Sequence, residues 1–372
     1  MEKPKKILII GNSHLVVFGF RGELIERLVS EKFDVTVCFP NGPFGNGDET
    51  AKEYGCNFIE AKIDRRGTNP IRDLSLIRQY YKIIRKLKPD IVLSYTVKPD
   101  VYGGIVCRIL KVPFVPNITG LGKGLDSSGI VQRITILMYK LAVKKAKCVF
   151  FQNESDKLFF DNKKIKYPKG IIIPGSGVNL DKFIPLAYPA DNDKIRFTYI
   201  ARVMKAKGIE QFFDAAHAIK QKYPNVELHI CGFCEEDYKQ ILDEKIKSGE
   251  IIYHGLVDNV LEHIESSHCI VLPSFHPEGI SNVLLEAAAC ARPIITTDHV
   301  GCKEVVSDGK TGYIVKQKDS DDLIEKMIKF IETPHSLKNQ MGCEGRKKVE
   351  AEFDRQIVVN NYVNVIRSED SL

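Results

Sequence analysis

Short β-type runs alternate with helix-type patterns along almost the whole chain, and this alternation restricts the fold more than any other feature. A strand that reaches its neighbour through a helix pairs with it in parallel, so the pattern calls for parallel sheets covered by helices. Strands are expected at 6–10, 34–39, 57–61, 91–95, 114–118, 148–152 and 170–173, then at 196–201, 226–231, 251–254, 269–273 and 293–296. The second set repeats the plan of the first, which predicts an α/β protein of two Rossmann-like units. Length agrees, because 372 residues suit two domains of roughly 150 to 190 residues better than one core. The polar stretch Ala187-Tyr-Pro-Ala-Asp-Asn-Asp-Lys194 reads as the linker. Domains are therefore expected at 1–186 and 187–355, with a last helical run in 356–372.

Composition excludes several classes. No segment approaches the ~18 uninterrupted apolar residues of a membrane span. The opening Met1-Glu-Lys-Pro-Lys-Lys6 runs directly into a strand, not into a signal-peptide apolar region, so a cytoplasmic protein is expected. Ten cysteines sit singly inside strands and helices, as free buried thiols do. Cys231-Gly-Phe-Cys234 has redox or half-zinc-site spacing, but no second Cys/His pair with ligand spacing accompanies it. Absence of G-x-G-x-x-G after the first strand disfavours a dinucleotide-dependent oxidoreductase.

Charge is divided unevenly, with a net of +13 over residues 1–180 and −7 over 181–372. A basic first half fits an anionic partner: nucleic acid, a phosphorylated lipid head or an anionic membrane face. Much of the excess lies on two helix-type segments, 74–88 and 131–147, and the second mixes apolar residues with lysines as an interfacial helix would. Ordinary core-packing helices with solvated basic faces have the same pattern.

The most specific chemistry lies in His276-Pro-Glu278-Gly-Ile-Ser-Asn-Val-Leu-Leu-Glu286, which joins a strand to a helix. Glu278 falls in the connecting loop and Glu286 about one turn inside the helix. Backbone N–H groups of Gly279, Ile280, Ser281 and Asn282 at the helix start offer an anion site that fits a diphosphate. A carboxylate one turn further in can accept hydrogen bonds from a ribose 2′,3′-diol. In the plain alternative Ser281 merely caps the helix and Glu286 is a solvated helix face.

With Glu278 and Glu286 in these places, the segment resembles the Glu-x7-Glu signature of the retaining glycosyltransferases of GT-B fold, numbered four in the usual classification. That resemblance implies two Rossmann-like domains facing a central cleft, with a C-terminal helix crossing back to the first domain. Tyr199-Ile-Ala-Arg202-Val-Met-Lys-Ala-Lys207-Gly208 is similar to the family pattern of an Arg at a strand end and a Lys before a Gly-initiated helix. Two fixed cations there would neutralise the charge on a departing nucleoside diphosphate. By the same resemblance Gly232 would lie beside the donor, the backbone at Leu256 and Val257 would hold the base, and Gly19 would approach the donor phosphates. Arg21 is a phosphate candidate, or else a first-turn Arg on a surface helix. Pro174 to Phe183 resembles the family's domain-junction segment, with Gly177 in place.

Where the family usually has an N-domain His, this chain has Thr119 in Pro116-Asn-Ile-Thr-Gly-Leu-Gly122. A Thr cannot serve as a His-like base, which leaves proton removal to the leaving phosphate, as a front-face retaining mechanism permits. Thr119 and Gly120, with Thr96-Val-Lys98-Pro-Asp-Val-Tyr-Gly103, resemble a branch that builds bacterial capsule and lipid-linked oligosaccharides. Lys98 is then an acceptor or phosphate contact. The resemblance implies a UDP-sugar co-substrate with no further cofactor, an undecaprenyl-diphosphate-linked saccharide acceptor, an anionic inner-membrane surface as partner and no nucleic acid. No essential metal is expected, since neither Asp191-Asn-Asp193 nor Asp319-Ser-Asp321 falls at the diphosphate. The expected reaction is transfer of a sugar, an N-acetylhexosamine by resemblance, with retention, by a peripheral protein of the cytoplasmic membrane face. The rival enzyme class is the non-hydrolysing UDP-GlcNAc 2-epimerases, which use the same two-domain fold.

Overall fold

The computed structural model describes residues 4–42, 45–64, 67, 69–126, 129–190 and 194–368. The first sheet contains β1 (Lys6–Ile10), β2 (Asp34–Phe39), β3 (Asn57–Glu60), β4 (Ile91–Tyr95), β5 (Phe114–Ile118), β6 (Val149–Phe151) and β7 (Gly170–Ile172). The second contains β8 (Arg196–Ile200), β9 (Glu227–Cys231), β10 (Ile252–Gly255), β11 (Cys269–Leu272), β12 (Ile294–Thr297) and β13 (Gly312–Val315). Strand order is β3-β2-β1-β4-β5-β6-β7 in one and β10-β9-β8-β11-β12-β13 in the other, and the pairings are parallel. β1 is apolar on both faces because helices cover both: Ile7 and Ile9 enter one hydrophobic cluster, Leu8 and Ile10 the opposite one. Its register is fixed from both sides, with Ile7 opposite Val35 on one side and Ile91 on the other.

Expected strands and observed ones agree to within a residue or two at their ends. β13 is the exception, absent from the expectation because its four residues open on Gly312 after a turn-rich Asp308-Gly-Lys-Thr311.

Contacts divide the chain into one unit of Met1–Ser176 with Gln356–Leu372 and another of Gly177–Arg355. The division precedes the polar stretch at 187 because Val178 and Phe183 are buried in the second unit's core. Val178 N–H donates to the carbonyl of Phe353 at 2.9 Å, which closes that unit between its two ends. Residues of the Arg355–Arg367 helix, among them Val358, Tyr362 and Ile366, lie in the first unit's core beside Ile7 and Ile9. Asn117 Nδ2 donates to the Tyr362 hydroxyl at 2.8 Å.

Candidate active site

In an open parallel sheet the strand order reverses at one point, and loops leaving the strands there diverge to form a crevice. In the second unit that point lies between β8 and β11. The loop after β8 carries Arg202 and Lys207, and the loop after β11 carries Glu278. Lys207 Nζ lies 2.6 Å from Glu278 Oε1, with Lys207 buried and Glu278 partly so. Ser274 Oγ accepts from the His276 N–H at 3.2 Å and stands 3.5 Å from the same Glu278 oxygen. The two loops are also bound through their backbones, the Phe275 N–H donating to the carbonyl of Ala206 at 2.9 Å. Gly208 makes this approach possible: its φ is +77°, and a Cβ there would stand 2.0 Å from the Pro273 carbonyl oxygen.

Arg202 pairs through its Nη1 with Glu235, on the loop after β9. The two cations of the β8 loop are thus both held by carboxylates, one of them Glu278 itself. Both cations are thereby held in place where the strand order reverses.

The helix Asn282–Ala289 starts four residues after Glu278. Ser281 is buried and its side chain makes no capping hydrogen bond, which removes the plain capping reading. One correction applies to the expected donors: the Ser281 N–H is taken by the Gly301 carbonyl at 2.8 Å. Glu286 is partly buried rather than a solvated face. Burial pushes its carboxyl group up to about 7, against the opposing pull of Arg355 and Lys182.

Beside the neighbouring strands, Gly232 follows β9 with φ +147° and its N–H donates to the Gly255 carbonyl at 2.7 Å. A Cβ on Gly232 would lie 1.8 Å from the Ala201 carbonyl oxygen, so only glycine lets this turn sit against the β8 loop. Leu256 is exposed beyond β10, while Val257 packs on the second core. Gly177, with φ +65°, lies against the backbone of Arg355.

In the first unit the reversal lies between β1 and β4. A cavity of about 120 Å³ opens there, lined by Asn12 after β1 and by Thr96, Val97 and Lys98 after β4, with Ile63. Lys98 Nζ lies 2.6 Å from Asp73 Oδ1 and 2.8 Å from the Gly67 carbonyl, so its charge is held at the cavity wall. Thr119 and Gly120 follow β5, the next strand beyond β4.

Two expectations about local placement fail here. Gly19 belongs to no loop, because Leu15–Gly19 forms a π-helical turn that runs straight into the helix Phe20–Ser30; the loop after β1 is Gly11 to His14. Arg21 is not a surface residue. It is 3% exposed, with its guanidinium 4.6 Å from the Tyr95 ring and Nη1 donating to the Phe20 carbonyl at 2.7 Å.

Of the two Asp-x-Asp strings, the one at 191–193 lies outside the described residues. In the other, Asp319 caps the Ser320–Glu332 helix by accepting from the Asp322 N–H at 2.9 Å. Sequence reading passed over Arg292, whose buried guanidinium donates to the carbonyls of Ile264, Leu186, Ala187, Cys290 and Glu265. That role is structural, and no local motif marks it.

Comparison with known proteins agrees with this geometry. The glycosyl transferase 4-like family model matches residues 6–153, and the model for glycosyl transferases group 1 matches residues 182–348. A Campylobacter jejuni N,N'-diacetylbacillosaminyl-diphospho-undecaprenol alpha-1,3-N-acetylgalactosaminyltransferase is 25% identical over 97% of this chain and 98% of its own length. An Escherichia coli UDP-Gal:alpha-D-GlcNAc-diphosphoundecaprenol alpha-1,3-galactosyltransferase is 25% identical over 87% of this chain and 86% of its own. Among solved structures, Anabaena HepE in complex with UDP and glucose superposes with a TM-score of 0.79 at 16% identity, covering 97% of this chain and 99% of that one. These matches lend the epimerase alternative no support. With a 4-like domain followed by a group 1 domain on a GT-B fold, the chain belongs to the glycosyl transferases and is a hexosyltransferase.

Proposed function

We propose that the protein transfers an N-acetylhexosamine from its UDP derivative, with retention, to a saccharide carried on undecaprenyl diphosphate, in the assembly of a surface polysaccharide or glycan. The observation that carries this reading is the Lys207–Glu278 contact of 2.6 Å at the strand-order reversal of the second sheet. Glu278 would orient the donor sugar and Glu286 would bind the ribose diol. Lys207 and Arg202 would neutralise the departing diphosphate, exchanging their present carboxylate partners for phosphate oxygens. Gly232, Leu256 and Val257 would hold the base, and Gly279, Ile280 and Asn282 would offer backbone N–H groups at the helix start. Thr119 has no basic group, so the acceptor proton would pass to the leaving phosphate. The acceptor class is supported by the names of the two bacterial relatives, both of which act on diphospho-undecaprenol sugars. UDP as the nucleotide is supported by the galactosyltransferase and by the HepE complex.

Peripheral attachment to the cytoplasmic membrane face is part of the proposal. The helix Ile130–Ala142 buries Tyr139 and Ala142 but exposes Ile130, Val131, Ile134, Leu137 and Leu141. Arg133, Lys144 and Lys145 beside that row are exposed as well. An apolar row edged by cations is the pattern of a helix lying in an anionic interface. Among the described residues no helix is long and apolar enough to cross a membrane.

The test is a panel of UDP-sugars offered with undecaprenyl-diphosphate-linked saccharides, read by mass spectrometry and by NMR of the anomeric proton. An α-linked product from an α-linked UDP-N-acetylhexosamine is expected. A β-linked product would refute retention, and turnover with other UDP-sugars alone would refute the donor assignment.

A further inference from the structure

A cluster of nitrogen and sulfur side chains beside the proposed base-binding segments has no part in the transfer reaction. His229 and Cys231 stand two positions apart on β9 and so face the same way. On β10, Ile252 is paired with His229 and Gly255 with Cys231, across an irregularity that brings His254 level with both. His263 comes from the helix Val260–Glu265 that follows. The Cys231 thiol sulfur and one ring nitrogen each of His254 and His263 all lie within 4.8 Å of one another.

A tetrahedral site with Zn–S of ~2.3 Å and Zn–N of ~2.0–2.1 Å spaces its ligand atoms roughly 3.3–3.6 Å apart. Closing the cluster onto an ion therefore takes side-chain movements of about an ångström. Cys231 is buried, His263 partly buried and His254 exposed, so the open side faces solvent and offers an entry path.

We infer that Cys231, His254 and His263 form a binding site for a thiophilic divalent transition-metal ion, Zn²⁺ foremost, with three protein ligands and one open position. The S,N,N donor set suits zinc, whereas magnesium and calcium take oxygen ligands.

Outer hydrogen bonds support the arrangement. His254 Nε2 lies 2.8 Å from His229 Nδ1, and His229 Nε2 lies 3.3 Å from Glu227 Oε2, which Arg196 Nη2 holds at 2.9 Å. With the Glu227 carboxylate accepting at its Nε2, the His229 N–H lies on that nitrogen. Its Nδ1 then accepts from His254 Nε2–H, which leaves the His254 lone pair on Nδ1. A histidine ligand whose other N–H is tied into a carboxylate-terminated chain is the usual second shell of a zinc site. The Cys231 thiol would lose its proton to the medium on binding the ion. The partner suggested by Cys-x-x-Cys spacing is not involved: Cys234 Sγ donates instead to the Glu236 carbonyl at 3.0 Å.

An ion held here would fasten the ends of β9 and β10 to the helix Val260–Glu265. The full chain, freed of metal with a chelator, is titrated with Co²⁺ and followed by absorption. One equivalent should give a thiolate-to-cobalt charge-transfer band in the near ultraviolet with tetrahedral d–d absorption, and Zn²⁺ should abolish both. Cys231→Ser should remove the charge-transfer band, and His263→Ala should weaken Co²⁺ binding by about tenfold or more. Cys234→Ser should change neither. Circular dichroism checks that each variant is folded, and His263→Ala, on a short surface helix, tests the site even if Cys231→Ser fails to fold. Absence of a charge-transfer band in the wild type, Co²⁺ binding undiminished by His263→Ala, or a band lost with Cys234→Ser would overturn the assignment.

Discussion

Replacing Ile134 and Leu137 together by aspartate probes the membrane-facing row at its centre. These side chains are 52% and 58% exposed. Burying a whole Ile or Leu side chain contributes ~1.5–3 kcal/mol, so the exposed portion of each is worth about 1 kcal/mol. Five such residues give the helix roughly 5 kcal/mol of apolar partitioning, and Arg133, Lys144 and Lys145 add about 1 kcal/mol each at an anionic surface. The double substitution removes about 2 kcal/mol of apolar contact, and its two carboxylates offset about 2 kcal/mol of the basic attraction. At 1.4 kcal/mol per decade, binding to vesicles should fall by at least a hundredfold. Co-sedimentation with phosphatidylglycerol-containing vesicles measures this directly, with phosphatidylcholine vesicles and raised salt isolating the charge contribution. Both positions are on the surface, so the melting temperature should hardly move. Turnover of a short-chain, water-soluble acceptor should also persist. A wild-type protein that fails to sediment with anionic vesicles, or a double variant that sediments as well as the wild type, would refute the reasoning.

Further outcomes concern the second unit. Lys207→Met should lower kcat by about a hundredfold to a thousandfold, the scale for losing one preorganised charge-stabilising group; steady-state kinetics showing kcat within a factor of about three of wild type would contradict the role. Gly208→Ala should cost roughly 2–4 kcal/mol of stability, because the new Cβ would meet the Pro273 carbonyl at 2.0 Å with φ at +77°; urea unfolding with an unchanged midpoint would count against it. Glu286→Gln should give opposite changes in function and stability. With its carboxyl raised from 4.5 to about 7, the folded protein binds the proton more tightly than the unfolded chain, so stability falls as pH rises from about 4.5 to 7. The Gln variant should therefore be more stable than wild type at pH 8 by roughly 2 kcal/mol once residual solvent contact is discounted, and melt at higher temperature, with little gain at pH 4, while losing affinity for UDP. Parallel melting curves across that pH range would refute the assignment of the shift.

Legibility differed from one residue to the next. β1 and β11 were visible because strands buried on both faces must be continuously apolar, and Glu278 was visible because a loop between such a strand and a helix has few other uses for a carboxylate. Contact between Lys207 and Glu278 was not, since it depends on β11 returning to the far side of β8, and local alternation does not encode strand order. Arg21 departs from its expected surface position for a different reason. The π-helical turn at Leu15–Gly19 inserts an extra residue into the helical phase, so the residue that spacing assigns to solvent lies over Tyr95. Spacing offers Cys231 only Cys234, three positions along the chain, whereas its neighbours arrive from β10, through a pairing irregularity that has no sequence marker, and from the helix that follows.

The first unit is discontinuous in the chain, and this orders events during synthesis. Its core contains Val115, Phe150 and Ile173 together with Val358, Tyr362 and Ile366, so the sheet made first has an unfilled apolar face until the segment from Gln356 is translated. At ~5–20 residues per second that wait lasts roughly 10–40 s, the time taken to synthesise the uninterrupted Gly177–Arg355 unit. The two units therefore reach completion almost together, as the last helix emerges, and until then the first half presents an apolar face that a chaperone could cover.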